Sequence, residues 1–252
     1  MSTPSTQDVL KDILKHTHGL GVYEMVRISS NEDGATTVET INGDKNAIFK
    51  GELHSPFSQL EGHTVGLARM AVLDGYLKYD GFTNDDATVE VVKQERNGES
   101  VPVEVRLVDA QGTDAHYRFM LSDMINQQLK EVRVTTPEFD VEFMPSVKSL
   151  KDLGYFNTVL SAFESTFTPE TIDGDLYFHV GDAGGDRTKI LIQKGVDGEI
   201  RSGMSWPLDL VLKILKLGTE AETTMHICDQ GLIQVRIDSG LGVYNYYLPA
   251  TS

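Results

Sequence analysis

The sequence contains few combinations of residues that are typical of an active site. A nucleophile elbow requires Gly-x-Ser-x-Gly, and residues 203–207 (Gly-Met-Ser-Trp-Pro) lack the second glycine. The glycine-rich residues 181–186 lack the Lys-Ser/Thr pair of a phosphate-binding loop, and their acidic side chains would repel phosphate. A hairpin turn is therefore the favoured interpretation of this loop.

Histidine and cysteine side chains offer two further candidates. His16 and His18 could bind a metal as a pair, but no third ligand lies nearby, so exposed histidines at a helix end are favoured. His226 and Cys228 would share one face of a strand, where a half-buried pair is favoured over a Cys–His dyad. Because Cys228 is the only cysteine, a disulfide within the chain is impossible and a cysteine-based zinc site is nearly excluded. We therefore expect no catalytic residue, no metal and no cofactor, and predict that the protein is not an enzyme.

Basic residues recur at helical spacing on four predicted helices, whereas acidic residues are concentrated in predicted strands and turns. The basic residues on these helices are Lys11, Lys15, Arg69, Lys78, Lys148, Lys151, Lys213 and Lys216. Lysine is a good helix former, and pairs three or four residues apart are common on solvated helix faces. The spacing alone therefore does not establish a function for these side chains.

The helices that carry these residues follow from the spacing of apolar positions. We predict helices over residues 8–17, about 65–79, about 147–160 and 206–217, with strands between them. Residues 122–138 are polar and lack a clean period, which predicts an extended linker. The order helix, strands, helix, strands thus occurs twice. The strand at residues 103–109 resembles the one at residues 232–238, which supports a duplication.

The composition sets limits on the class of protein. The chain has 252 residues with a net charge of −16, and 40% of them are apolar, which excludes a disordered chain and suits one large domain or two smaller ones. No stretch approaches the roughly 20 apolar residues that cross a bilayer, and the N-terminus lacks the features of a signal peptide. We therefore expect no membrane partner and a cytoplasmic, reducing environment. Taken alone, the acidic excess argues against DNA, because DNA binding requires lysine and arginine to neutralise phosphates.

The layout and several short motifs resemble the DNA polymerase sliding clamps. Residues 206–217, 225–229, 232–238 and especially 246–250 (Tyr-Tyr-Leu-Pro-Ala) are similar to the last helix and strands of proliferating cell nuclear antigen, with the order of the proline and the small residue exchanged. Residues 139–146 are similar to the family's exit from the interdomain connector, and residues 42–53 to a loop and strand of its first domain. The remaining strands of the first half resemble the clamps of tailed bacteriophages.

This resemblance implies an α+β DNA clamp fold, with two similar domains that each pack two helices on antiparallel sheet. The implied domains are residues 1–121 and 139–252, joined by a connector at residues 122–138. A closed ring of six domains then requires three copies of a two-domain chain, so a homotrimer is implied. The subunits would pair edge strands at residues 117–121 and 189–193. The interface residues implied are Tyr117, Phe119, Leu121, Ile190 and Ile192.

The function implied is that of a processivity factor, a ring that encircles double-stranded DNA without sequence specificity and tethers DNA polymerase and other replication proteins. The helices line the hole in this family, so the eight basic residues would face phosphates. An ATP-dependent clamp loader is a further implied partner, and the location would be the host cytoplasm if a bacteriophage encodes the chain. Partner peptides would bind a pocket formed by Ile41, Phe49, Val132, Val134, Pro137, Tyr247, Leu248 and Pro249.

Two other classes of protein stay open at this point. One is an α+β scaffold that binds peptides or small molecules and not DNA, for example a virion-associated protein. The other is an enzyme whose catalytic residues are too dispersed to recognise in the sequence. A stable trimer in solution would favour the clamp over both.

Overall fold

A computed structural model describes residues 4–96, 98–130, 133–162, 164–181, 184–201, 203–219 and 221–251 of the chain. The described residues form two compact units. Unit 1 takes its residues from the ranges Met1–Gly43, Phe49–Val132 and Gly240–Val243, and unit 2 from Asp44–Ile48, Arg133–Ser239 and Tyr244–Ser252.

Unit 1 consists of helices and antiparallel strands in the order helix, four strands, two helices, three strands, helix. These elements are α1 (Thr6–His16), β1 (Met25–Ser30), β2 (Thr36–Ile41), β3 (Ile48–Leu53), β4 (Thr64–Ala68), α2 (Met70–Leu77), the short α3 (Asp80–Thr83), β5 (Thr88–Arg96), β6 (Glu99–Val108), β7 (Asp114–Arg118) and α4 (Ser122–Gln128). The strands lie in the orders β4–β1–β2–β3 and β5–β6–β7.

Unit 2 repeats the strands and the two main helices of this plan (α1 and α2 in unit 1, α5 and α6 in unit 2), with one added strand at its start and no described counterpart of α3 or α4. Its elements are β8 (Val141–Phe143), α5 (Val147–Leu160), β9 (Thr166–Ile172), β10 (Asp175–Val180), β11 (Thr188–Gln193), β12 (Trp206–Pro207), α6 (Leu208–Leu217), β13 (Glu222–Cys228), β14 (Leu232–Asp238) and β15 (Gly242–Pro249). The strand orders are β12–β9–β10–β11 and β8–β13–β14–β15.

The strand orders show that the two units share one topology. In unit 1, β4 precedes α2 and pairs with β1, the strand that follows α1. In unit 2, β12 precedes α6 and pairs with β9, the strand that follows α5. The two similar sequences noted above fall on β6 and β14, which occupy equivalent places in this plan. A second similarity joins α1 and α5, where Leu10-Lys-Asp-Ile13 matches Leu150-Lys-Asp-Leu153.

The main helices form because one face of each is apolar and buried. In α1, Leu10 and Ile13 are inaccessible to solvent, and in α6 the same holds for Val211 and Ile214. Within unit 1, α1 packs on α2 and on β5, and within unit 2, α5 packs on α6 and on β11. The predictions of helices at residues 8–17 and 147–160 are confirmed.

The predicted helix at about residues 65–79 is wrong in its first part. Residues Thr64–Ala68 form β4, which pairs with β1 in antiparallel register from Met25↔Ala68 to Ser29↔Thr64. Val65 and Leu67 are both buried and fit the two-residue period of a strand. Leu67 also lies three residues before the buried Met70, which imitates a helical period. The helix begins only after Arg69, whose φ of 51° separates the two elements.

The predicted extended linker at residues 122–138 is also wrong in its first part, because Ser122–Gln128 form α4. Ile125 and Leu129, four residues apart, are buried, and α4 packs on β4. A close approach makes this packing possible. A Cβ atom on Gly66 would lie 2.9 Å from the Cβ of Ile125.

The single tryptophan anchors the end of the chain in unit 2. Trp206 is fully buried and belongs to β12, so α6 begins at Leu208 and not at the predicted residue 206. The Trp206 Nε1–H donates to the carbonyl of Leu248 at 2.9 Å, and its ring lies 6.3 Å from that of Phe167.

Among the described helices, none combines the length and the apolar character that would span a membrane.

The contact between β4 and α4 predicts that Gly66→Ala destabilises unit 1. The added methyl group would overlap Ile125, and overpacking of this kind typically costs about 1–3 kcal/mol. Gly75→Ala is the matched control, since a Cβ atom there meets nothing within 4 Å and alanine favours the helix interior by about 0.5–1 kcal/mol. Urea denaturation should show a lower midpoint for the first variant only. Equal midpoints would contradict the proposed packing.

Candidate nucleic-acid interface

The first helix presents two lysines to solvent because its other face is buried. Lys11 and Lys15 are exposed and lie opposite the buried stripe of α1. The helix begins at a capping box, in which Ser5 Oγ accepts from the Asp8 N–H at 3.1 Å and Asp8 accepts from the Ser5 N–H at 3.3 Å. Such a cap fixes where the helix starts. The burial of the opposite face sets the direction of the two lysines.

The second helix carries its basic residues at its two ends. Arg69 is the N-cap of α2 in the left-handed conformation, and Lys78 is the C-cap; both are exposed. Lys78 Nζ lies 2.6 Å from Asp74 Oδ2, one helical turn back along the same face.

The helices of unit 2 repeat this arrangement. Lys148 Nζ lies 2.5 Å from Asp152 Oδ2 on α5, and Lys213 Nζ lies 2.8 Å from Asp209 Oδ2 on α6. Lys151 and Lys216 are exposed on the same two helices.

All eight predicted basic residues are therefore exposed, and they fall into two groups. Three are held by an aspartate four residues away, as described above. The other five make no ion pair with a described residue: Lys11, Lys15, Arg69, Lys151 and Lys216. The sequence predicted the basic residues but not the three aspartates, although their spacing was a readable signal.

The summed charge of the four main helices differs in sign from that of the rest of the chain. α1, α2, α5 and α6, with Arg69 and Lys78, carry eight basic residues and five aspartates, a net charge of +3. The other 14 basic and 33 acidic residues give −19 elsewhere. Exposed ion pairs between residues four apart are individually weak, about 0.3–0.5 kcal/mol, so a competing anion can replace the aspartate.

The histidine pair is not the exposed pair that the sequence predicted. His16 is fully buried, and burial together with the nearby Lys15 charge lowers its pKa to about 3. His18 is half-buried, in the turn that follows α1. A neutral, buried His16 is a core residue and not half of a surface metal site.

The histidine and cysteine of β13 also lack the features of a dyad. Burial raises the pKa of the Cys228 thiol and lowers the pKa of His226, so both groups favour their neutral forms. His226 Nδ1 lies 3.5 Å from Glu142, which opposes the second shift. Within the described ranges, no group of three or more histidine, cysteine, aspartate or glutamate side chains is placed to hold a metal ion.

Of the predicted subunit-interface residues, Tyr117 lies on β7 and Ile190 and Ile192 lie on β11. Phe119 and Leu121 follow the end of β7 at Arg118, so the predicted edge strand at residues 117–121 is wrong in its last part. Most of the five side chains point inward. β7 and β11 are terminal strands of their sheets, as predicted for edge strands. Tyr117 is only 1% exposed, donates a hydrogen bond to the carbonyl of Ala68, and has its pKa raised to about 12 by burial. The other four interface residues are buried or half-buried: Phe119, Leu121, Ile190 and Ile192. At Tyr117, Ile190 and Ile192 the side chains are largely buried, so a second copy would pair mainly with the backbone of β7 or β11.

The residues predicted for a partner-peptide pocket include both fully buried and half-buried side chains. Phe49 and Leu248 are fully buried, so their side chains cannot contact a peptide. Phe49 packs in unit 1 against Tyr23, with ring centroids 6.0 Å apart. The half-buried members are Ile41 in unit 1 and Val134, Pro137, Tyr247 and Pro249 in unit 2. Val132 lies outside the described residues.

Paired helices on antiparallel strands, repeated twice with one strand order, define the DNA clamp fold, and solved structures of PCNA share it. PCNA of A. fulgidus, solved with the C-terminal region of FEN-1 bound, has a TM-score of 0.70 at 13% identity over 98% of this chain and 96% of that one. PCNA of Thermococcus kodakaraensis gives 0.68 at 11% identity over 98% of both chains. Proliferating cellular nuclear antigen of Entamoeba histolytica gives 0.65 at 13% identity over 98% and 94%.

No protein-family model and no curated protein matches the chain at the level of sequence. At 11–13% identity the structural likeness establishes the α+β clamp fold, which confirms the predicted fold class.

The burial of His16 predicts that its imidazole stays neutral down to a pH of about 3. Below the unfolded pKa of 6.5 the unfolded chain binds a proton that the folded chain excludes, so this group lowers stability as the pH falls from 6.5 towards 3. Two-dimensional NMR, with the resonance assigned through His16→Gln, should show no shift of the His16 ring signals between pH 8 and pH 5. A titration midpoint near 6.5 would contradict the burial.

Proposed function

We propose that the chain is a sliding clamp that encircles duplex DNA and acts as a processivity factor for DNA polymerase. The observation that carries this proposal is the position of the positive charge. In a chain with a net charge of −16, the exposed helix faces of a clamp fold have a charge of +3. A net charge averages over surfaces, and attraction to DNA depends on the surface that meets it.

The chemistry of these faces suits attraction without sequence recognition. Flexible lysine side chains contact phosphates, which carry no sequence information, whereas base readout uses groups directed at base edges. Scattered contacts of this kind are weak and salt-dependent. In the proposed mechanism, a closed ring retains the DNA by its topology, and the lysines only keep the duplex away from the acidic remainder of the protein.

A ring requires contact between copies, and the terminal strands provide a place for it. The open backbone groups of β7 in one copy would pair with those of β11 in the next, giving a homotrimer of six units. A groove of about 520 Å³ runs beside β11, lined by Leu191, which is 36% exposed, and by α5. The α5 residues in this lining include Phe156 and the Lys148–Asp152 pair, so the groove adjoins the helix face proposed to meet DNA. The Sulfolobus tokodaii structure of a PCNA2–PCNA3 complex, with a TM-score of 0.64 and 12% identity over 96% of this chain and 94% of that one, supports assembly between chains of this fold.

Partner proteins would bind the outer surface. The FEN-1 region bound to A. fulgidus PCNA supports a peptide-docking role for this fold. For this chain we propose that the half-buried Val134, Pro137 and Tyr247 contribute to such docking. DNA polymerase and an ATP-dependent clamp loader are the proposed partners. The clamp itself would be non-enzymatic and would act in the cytoplasm, that of a bacterial host if a bacteriophage encodes it.

The proposed ring predicts a mass in solution of three times 27.9 kDa, measured by light scattering at micromolar concentration. Leu191→Glu should shift this mass towards the monomer, because it places a charge in the groove beside β11. Met204→Glu is the matched control, since Met204 is 37% exposed and lies just before β12, the strand at the opposite edge of that sheet from β11. A monomeric wild-type chain would contradict the proposed ring and favour the scaffold alternative.

The helical charge predicts that reversing it weakens loading onto DNA. Lys11→Glu, Lys15→Glu, Lys148→Glu and Lys213→Glu combined should lower loading onto nicked circular DNA at least tenfold, with folding unchanged by circular dichroism and the mass in solution unchanged by light scattering. The matched control reverses four exposed basic residues outside the main helices: Lys93, Arg96, Lys130 and Arg187. Equal losses in both variants would show that the helices have no special role. Release after linearisation of the DNA tests the topological mechanism, and equal retention on both forms would refute it.

A further inference from the structure

Three of the four main helices hold one predicted DNA-contacting lysine against an aspartate on the same helix. The pairs are Lys78–Asp74 at 2.6 Å, Lys148–Asp152 at 2.5 Å and Lys213–Asp209 at 2.8 Å. The lysines of these pairs are 72%, 85% and 51% exposed, so each pair lies in solvent on the positive face of its unit. The same device therefore occurs in both units.

The fourth helix has no aspartate four residues from a lysine. On α1, Asp8 is used by the capping box with Ser5, and Asp12 lies 3.8 Å from the buried His16. Lys11 and Lys15 make no ion pair with a described residue. The positive faces thus contain both paired and unpaired lysines.

An aspartate within reach of a lysine gives the ammonium group an alternative to a DNA phosphate. Lysine is a compact charge on a flexible stem, so its Nζ can move between two nearby anions without any change in the backbone. Duplex DNA presents one phosphate charge for about every 1.7 Å of its axis. A paired lysine that leaves one phosphate can return to its aspartate before it reaches the next phosphate, so it is never without a partner.

We infer that Asp74, Asp152 and Asp209 are exchangeable counter-ions that weaken the hold of the helical faces on DNA and so ease sliding. This inference rests on the proposed function. It makes the three aspartates determinants of mobility on DNA and not of helix stability alone.

The test is the combined variant Asp74→Asn, Asp152→Asn and Asp209→Asn. The matched control is Asp33→Asn, Asp86→Asn and Asp197→Asn, which changes the net charge equally at exposed positions outside the helices. Binding to a fluorescent 30-base-pair duplex is measured by anisotropy over a range of salt concentrations. Relative to the control, we expect about three- to tenfold tighter binding at 50 mM salt, a steeper salt dependence, and convergence at high salt.

A second readout separates mobility from affinity. Protein threaded over the free end of tethered linear DNA is followed by single-molecule fluorescence, and the helical variant should diffuse several-fold more slowly than the control. Urea midpoints identify any change in folding, which would not by itself steepen the salt dependence. If affinity, salt dependence and diffusion all equal those of the control, the inference is refuted.

These measurements distinguish a failure of the proposed function from a failure of the counter-ion role. If wild-type protein does not associate with duplex DNA, or if reversal of Lys11 and Lys15 has no effect, the DNA-facing role of the helices is wrong and the inference falls with it. If that reversal weakens binding while the asparagine variant matches its control, the clamp function stands and only the counter-ion role is refuted.

Discussion

The burial of one face of each main helix against an antiparallel sheet is the interaction on which the rest of the structure depends. In α1 and α6, inward residues such as Ile13 and Ile214 have no exposed surface, and the hydrophobic effect fixes the rotation of each helix about its axis. Once that rotation is set, the two lysines of α1, of α5 and of α6, which lie three or four residues apart on their helix, face solvent. The position of the positive charge is therefore a consequence of apolar packing and needs no separate positioning device.

The same constraint explains how a strongly acidic protein can have a positive surface. Strands also alternate between core and solvent, and their outward positions carry side chains such as Glu90 and Glu170. Helix and strand faces therefore hold different charges because they are different surfaces of one layered fold. The aspartates of the three lysine–aspartate pairs reduce the positive charge of these helix faces.

Much of this architecture could be predicted from the sequence, because the spacing of apolar residues indicates which positions are buried. The helix at Thr6–His16 and the repeat between β6 and β14 were readable for that reason. The boundary between β4 and α2 was not, because Leu67 lies two residues from Val65 and three from Met70 and so fits both periods. The left-handed conformation of Arg69 has no sequence signature. The exposure of the eight basic residues could be predicted from their helical spacing. The burial of Phe49 and Leu248 could not, because it depends on neighbours that are distant in the sequence.

The buried Trp206 has a spectroscopic consequence. It is the only tryptophan of the chain, and its surroundings and its hydrogen bond to Leu248 lie entirely within unit 2. Emission excited at the red edge of the absorption band therefore reports on unit 2 alone, while far-ultraviolet dichroism reports on both units. A difference between the two signals during unfolding would measure how far the halves of this duplicated protein lose their structure independently.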